Sequence, residues 1–516
     1  MIRILQLCSL LLLVMTASIV FRQEGAIVGK PFTEDGFYAA SVARNLALGR
    51  GLTIDGIQQT NGFQPLYVFL CSVPFILAGS NSILAFRLIL CLHLLFHTGV
   101  AVVLGVIGRD CVPEADQATR SLTFWTTVVM YLSAGRLFNR DFNGLETALL
   151  VCCYAYVGLY YQRNGIARPT SLVTLGFLLG ILVLARIDAA FFVAVFAGYH
   201  VLRSNETPVS RRILEAFVFS LVAAVVSSPW WIYNVTAFRS LMPTSGTAQS
   251  LWLFSIHRFI GLFFSLSEIA IPHVYFVWLP HIGLAVKVLR IFIFLAILGW
   301  VFRYDGNPKQ RDTRARVQTA RFREFTTILA ISFGMLACWY TLSSFATWFY
   351  ARYMAPLTII TIVISSLAVV KLFRRQKWLA FSLIVAVSVP LVLTIAHLHQ
   401  ETTFEEWHRD QLSLVRQHVP QHEVVAAFQT GTLGFFRERV VNLDGKVNPI
   451  ALEYQGKYED LLRKQNIQWV CDWKWLVKEG IIPSNSTTNA WEFIDARGDF
   501  VLYHFNPRNG GASIQP

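Results

Sequence analysis

The chain holds 516 residues, 54% hydrophobic and 15% charged, with a mean hydropathy of +0.50. That composition excludes a soluble protein and indicates a polytopic membrane protein. The net charge of +13, at a pI near 9.5, would suit nucleic acid in a soluble chain, but here the basic residues sit in short loops between apolar runs, the positive-inside pattern, which argues against nucleic acid as a partner.

Residues 2–21 form the first apolar run. Arg3 could begin a signal peptide, but the run is long for one and lacks an Ala-x-Ala site, so a retained span is expected. Residues Pro31–Leu66 follow and form the organising stretch. Glu34 and Asp35 open an expected helix, with Ala39, Val42, Ala43 and Leu46 on one face. Thr33 or Asp35 can cap it, and Gly49 or Gly51 ends it. Both carboxylates then lie at a helix N-terminus, where the macrodipole favours the ionised form. Arg44 and Asn45 read as docking residues of that helix.

Residues 65–79 make a shorter apolar run. Longer ones cover about 83–107, 121–138, 146–161, 171–186, 188–202, 213–233, 282–302, 325–344, 353–370 and 378–397. If 65–79 is re-entrant or interfacial, Arg3, Arg109, Arg120, Arg163, Arg168, Arg203, Arg211, Arg212, the run Arg303–Arg323 and Lys371–Lys377 all fall on one side. That side is the cytoplasm. About eleven spans result, with the N-terminus cytoplasmic and the tail extracytoplasmic. Trp230, Trp231, Tyr233, Trp348, Phe349 and Tyr350 then fit an aromatic belt at outer span ends.

From residue 399 the chain becomes polar and mixed. Glu423–Phe428, Val440–Leu443 and Ile467–Cys471 read as strands, Gly431–Gly434 as a turn and Gly456–Gln465 as a helix. Trp491–Ile494 and Phe500–Phe505 read as a hairpin. The expected fold is an α-helical polytopic membrane protein with juxtamembrane helices and a small C-terminal α/β ectodomain. Residues 1–398 form the membrane domain, including the first outer loop at 22–82, and residues 399–516 the extracytoplasmic one. Six of the eight cysteines lie in apolar runs, and no disulfide framework is expected. His397, His399 and His408 match no metal motif.

The outer face collects Glu34, Asp35, Asp141, Glu146, Arg186, Asp188 and Arg352. Ionisable residues at membrane level are costly, so a cluster of them on one face marks a candidate active site. An acid there can deprotonate a hydroxyl or hold a divalent metal. Arginines there can grip a phosphate bidentately. Together they suit transfer from a lipid phosphate. No Walker, GxSxG or HExxH sequence points elsewhere. Each residue also has a plainer role. Glu146 can serve a helix N-terminus, Arg186 can pair only with Asp188, and Arg352 can anchor at the interface.

Tyr38–Gly51, with Ala43-Arg44-Asn45-Leu46-Ala47, and Gln64-Pro65-Leu66 are followed by Gly144-Leu145-Glu146-Thr147, Arg186-Ile187-Asp188, Trp230–Pro243, Arg352-Tyr353 with Pro356, and Val440–Asn448. In that order the set resembles the GT-C family of integral-membrane glycosyltransferases, and most of all bacterial relatives of protein mannosyltransferases and aminoarabinose transferases. The resemblance implies a polyprenyl-phosphate-linked sugar as donor, a bacterial inner (plasma) membrane location and a glycan, lipid or protein acceptor. It implies Glu34 or Asp35 as catalytic base, with Arg186, Arg352 and Gln64 toward the donor phosphate. Glu146 and Asp188 make a second acidic site, where Mg or Mn is left open as a cofactor. Gln64 stands where the family usually carries His or Lys, which moves weight to the two arginines. A transporter, a flippase or a ligase for lipid-linked glycans is the competing class. Inverted repeats and broken mid-span helices would mark a transporter, and neither is visible.

Overall fold

The computed structural model describes residues 1–113, 116–166, 168–203, 207–250, 252, 255–273, 283–303, 313–343, 350–400, 408–482 and 490–506. Trp348, Phe349 and part of the basic run after Arg303 lie outside the described residues. Two compact units divide the chain. One comprises Met1–Arg22, Leu90–Ile232 and Leu251–Gln400, and the other Gln23–Ile89, Tyr233–Ser250 and Glu401–Pro516.

The first unit is helical. Each expected apolar run carries a helix: Ile2–Ala17, Ser82–Asp110, Gln117–Leu132, Thr147–Asn164, Pro169–Ala185, Ala190–Leu202, Val209–Phe238, Leu284–Arg303, Thr313–Ser343, Thr358–Arg375 and Lys377–Gln400. Their ends follow ordinary capping chemistry. Asn81 Oδ1 accepts the Leu84 N–H at 2.9 Å, and Asp116 Oδ1 accepts that of Thr119 at 3.0 Å. Pro169 occupies the first turn of its helix, where its missing N–H costs nothing. Among the described residues, six helices are long and apolar enough to cross a bilayer. The chain is thus a multi-pass membrane protein, and the finer count of about eleven spans stays an expectation.

Arginines from separate loops converge at one end of this unit. Arg109 Nε and Arg163 Nε reach the two oxygens of buried Asp110 at 2.9 and 2.8 Å, and Arg120 lies 3.5 Å away. Arg203 and Tyr161 share one oxygen of Glu324, at 2.7 and 2.6 Å. Asp110 thus gathers arginines from more than one loop.

The second unit joins the loop after the first helix, residues 233–250 and the tail, so compactness divides the chain differently from composition. The reason is aromatic packing. Phe37, Phe75 and Phe86 lie against Phe435, with ring centroids 5.7, 6.2 and 5.1 Å away. Each is nearly or wholly buried, and burying a Phe stabilises by about 1.5–3 kcal/mol. The first-loop helix, Glu34–Ala47, buries Gly36–Ala43. Its Ala39, Ala40, Ser41 and Ala43 let neighbours approach closely. Arg44 donates to the Phe435 carbonyl at 2.8 Å, and Asn45 Nδ2 donates to those of Thr53 and Ile54, both at 3.0 Å. Both residues dock the helix. Gly49 and Gly51, each at φ 74°, turn the chain out of it. The next helix, Pro65–Ala78, has 14 residues; it rises about 21 Å, short of the roughly 30 Å hydrocarbon core.

The tail forms a five-stranded mixed sheet, ordered β2-β1-β3-β5-β4. Its strands are β1 (Val425–Ala427), β2 (Val440–Asn442), β3 (Trp469–Trp473), β4 (Trp491–Arg497) and β5 (Phe500–Phe505). β1 runs parallel to β2 and β3, and β5 antiparallel to β3 and β4. The expected hairpin is β4–β5. The expected turn at Gly431–Gly434 is instead a helix, Gly431–Phe436. Its two glycines suggest a turn, but burial of Leu433 and Phe435 makes the segment coil.

Candidate active site

Glu34 and Asp35 open the first-loop helix as expected, and their surroundings differ. Glu34 is almost fully engaged. One oxygen takes the Gly431 N–H; the other takes the Thr432 N–H at 3.0 Å and the Thr432 hydroxyl at 2.6 Å. His408 Nδ1 lies 3.5 Å from the same oxygen. The carboxylate thus caps Gly431–Phe436 from a distant part of the sequence. A Cβ at position 431 would strike the Glu34 carbonyl, so only glycine permits the approach.

Asp35 is half-buried and lies within Coulomb range of Asp444. Asp444 pairs with Lys446 at 3.2 Å. Burial pushes the Asp444 carboxyl up, and nearby Asp35 adds to the rise against the pull of Lys446. The turn at Asn61-Gly62 seats beside them. Gly62 packs on the Lys446 carbonyl, to which the Thr244 hydroxyl donates at 2.9 Å. Buried Asn61 bonds Asn234 Oδ1 at 2.9 Å and accepts the Thr244 N–H at 2.9 Å. Asn234, which opens an Asn-Val-Thr glycosylation triplet, is fully buried and so closed to glycosylation. Gln64 precedes the Pro65–Ala78 helix at its N-cap, half-buried.

Tyr38 follows on the same helix. Its hydroxyl donates to the Phe428 carbonyl at 3.2 Å and accepts the Thr430 N–H at 3.1 Å. Nearby, Asp472 Oδ2 takes the N–H groups of Phe428 and Gln429 at 2.5 and 2.9 Å. Burial raises the Asp472 carboxyl to about 7, although these N–H donors pull it down.

In the first unit, Arg186, Glu146 and Asp188 come together. Arg186 Nε donates to both oxygens of Asp188, at 3.0 and 2.9 Å, and Nη1 to Glu146 at 3.2 Å. Its guanidinium stands 4.2 Å from the ring centroid of Tyr353, and that of Arg352 lies 5.3 Å from the same ring. Tyr340 stacks on Tyr353 at 4.5 Å and donates to Asp188 at 2.6 Å. Glu146 and Asp188, expected as a second acidic site, thus bracket an arginine. Among the described residues, no group of three or more His, Cys, Asp or Glu is placed to hold a metal ion. His399 meets the Ser18 hydroxyl at 2.7 Å.

Sequence reasoning missed several of these residues. Tyr340, Asp444, Lys446 and His97, which lies 2.6 Å from the expected Asp141, carry no local signal. Tyr353 and Asp444 do fall inside segments quoted for the resemblance, which was the one available clue.

Helices of spanning length, charged clusters at their ends and a C-terminal α/β domain make up the fold of a multi-pass membrane protein. Two solved structures share that fold along nearly the whole chain. One is ArnT from Cupriavidus metallidurans bound to undecaprenyl phosphate, with a TM-score of 0.54 and 12% identity over 98% of this chain and 99% of that one. The other is the same protein in the apo state, with a TM-score of 0.51 and 13% identity over the same shares. No protein-family model and no curated protein matches the chain.

Proposed function

We propose that the protein is a glycosyltransferase that moves a sugar from a polyprenyl-phosphate-linked donor to an acceptor hydroxyl, a glycan, lipid or protein, on the outer membrane face. The observation that carries this reading is the likeness, over 98% of the chain, to a fold solved with undecaprenyl phosphate bound. The reaction is a direct displacement. A base in the first outer loop takes the acceptor proton, the acceptor oxygen bonds the anomeric carbon, and the sugar–phosphate C–O bond breaks. Polyprenyl phosphate leaves with the electron pair.

Asp35 is the base in this reading. Three donors already occupy Glu34, so its oxygens are committed to the C-terminal domain. Glu34 therefore holds the loop in place beside it. Arg352 and Arg186 face the charge that builds on the leaving phosphate. Glu146 and Asp188 keep Arg186 oriented, which spares the site that cost at the moment of reaction. Gln64 contributes a neutral donor where a cation would be usual. The first outer loop and the tail lie on the outer side of a bacterial inner membrane, and the N-terminus inside. The displacement as written needs no metal, and loss of turnover on chelation would add Mg or Mn to it.

The test supplies the purified protein with a synthetic polyprenyl-phosphate sugar and analyses the products by mass spectrometry. A glycosylated acceptor with release of polyprenyl phosphate is expected. Donor movement across vesicles without any bond cleavage would instead make the protein a flippase.

A further inference from the structure

Between Glu215 and Asp305 the sequence holds one acid, Glu268, against Arg239, Arg258, Lys287, Arg290 and Arg303. This basic stretch includes the connection from Val209–Phe238 to Leu284–Arg303, on the side away from the arginine-rich cytoplasmic loops. Positive charge is depleted on that side unless something there uses it.

The structure brings two of these cations, Lys287 and Arg290, to one place in the first unit, beside two more from another helix. The helix Ile256–Ala270 presents Glu268 to the short helix Gly135–Asp141. Arg136 Nε and Nη2 reach Glu268 Oε2 at 2.9 and 2.8 Å, and Arg140 Nη2 reaches the same oxygen at 3.1 Å. Arg290 and Lys287, on the helix Leu284–Arg303, lie within Coulomb range of that carboxylate. Four cations thus surround one acid. Asp141, the next acid along, is turned to His97 and the Tyr131 hydroxyl, at 2.6 and 2.8 Å. Arg140 is 4% exposed, and among the described residues its buried Nη1 meets no hydrogen-bond acceptor. A buried guanidinium edge left unsatisfied is costly, and an oxyanion relieves that cost.

The surroundings say which oxyanion. Ile256, Phe259 and Ile260 are exposed on one helix, and Leu284, Val286, Leu289, Phe292 and Ile293 on the other. In a multi-pass protein such faces meet acyl chains. The Lys287 ammonium stands 3.4 Å over the Phe264 ring, its stem lying along apolar surface. Arg136 and Glu268 remain partly open to the surface, with side chains 23% and 24% exposed.

We propose that Arg136, Arg140, Arg290 and Lys287 bind the phosphate of an anionic phospholipid, whose acyl chains lie along the exposed faces of Ile256–Ala270 and Leu284–Arg303. Arg140 supplies the fixed fork, and Lys287 gates the entrance as a mobile point charge.

The test compares thermal stability and native mass spectra of the full-length protein in detergent, with phosphatidylglycerol, phosphatidylcholine or inorganic phosphate added. Phosphatidylglycerol is expected to raise Tm by several degrees and to remain bound, and the other two to do neither. Arg140→Gln should abolish the shift, and Arg136→Gln and Lys287→Gln should each reduce it. If Arg140→Gln does not fold, Lys287→Gln at the rim decides the matter. An equal shift with phosphatidylcholine would overturn the proposal, as would a full phosphatidylglycerol shift in Lys287→Gln. An equal shift with inorganic phosphate alone would make this a free-anion site and overturn the lipid assignment.

Discussion

Thr432 gives both its hydroxyl and its backbone N–H to a single oxygen of Glu34, at 2.6 and 3.0 Å. That contact ties the first outer loop to the C-terminal sheet domain across almost four hundred residues. It also separates the roles of two adjacent acids. Hydrogen bonds to a charged group contribute about 1.5–3 kcal/mol, and losing the acceptor leaves buried donors unpaired. Glu34→Gln should therefore lower the melting temperature. Asp35→Asn should leave stability near wild type and cut transfer by about a hundredfold or more. Normal transfer by Asp35→Asn in a donor-dependent assay would move the base elsewhere.

Arg186 and Arg352 share the Tyr353 ring, yet they should respond differently. Arg186 is bound to Asp188 and Glu146, so Arg186→Ala leaves one buried and one partly buried carboxylate uncompensated and should destabilise the protein as well as slow it. Arg352→Ala should lower turnover more than donor affinity, because the leaving phosphate gains charge in the transition state. Lys at 352 should rescue only in part, since it lacks the bidentate fork. Unchanged turnover in a stable Arg352→Ala would exclude that residue.

Asp472 gives the folded protein a pH dependence. Its carboxyl rises from 3.8 to about 7 by burial. Between those values the folded chain keeps a proton that the unfolded chain releases. The stabilisation is thus complete below about pH 4 and is lost as pH rises through about 7. Melting temperature followed across that range should show a decline that Asp472→Asn flattens. An identical profile in the variant would place the titration on another group.

Gly62 packs on the Lys446 carbonyl, where a Cβ would collide with backbone rather than with a side chain that can move. Gly62→Ala should therefore displace the Asn61–Gln64 turn from Asp444 and Lys446, lowering both stability and transfer. A neutral Gly62→Ala, by melting and by product formation, would mean that the turn is not held there.

The expected orientation can be read by labelling. Single cysteines at Arg314 and Lys478 should react from opposite sides of sealed vesicles. Labelling of both from one side would break the assignment of the tail to the outer face.

By itself the sequence determined where the helices lie. Apolar runs and basic loops record the bilayer, because lipid penalises every unpaired backbone group and charge residue by residue. The acidic pair and the paired Arg186 and Asp188 were also legible, since charge at membrane level is rare enough to stand out. Only the tertiary structure decided how these groups are used. Glu34 and Asp35 are equivalent as letters, and Gly431 and Thr432, far along the chain, make one a cap. Gly431–Phe436 looks like a turn until the burial of Leu433 and Phe435 coils it. Four cations around Glu268 cannot be read from a loop whose members are spread over more than a hundred and fifty residues. Periodicity is a local signal, whereas burial and pairing depend on neighbours that only folding supplies.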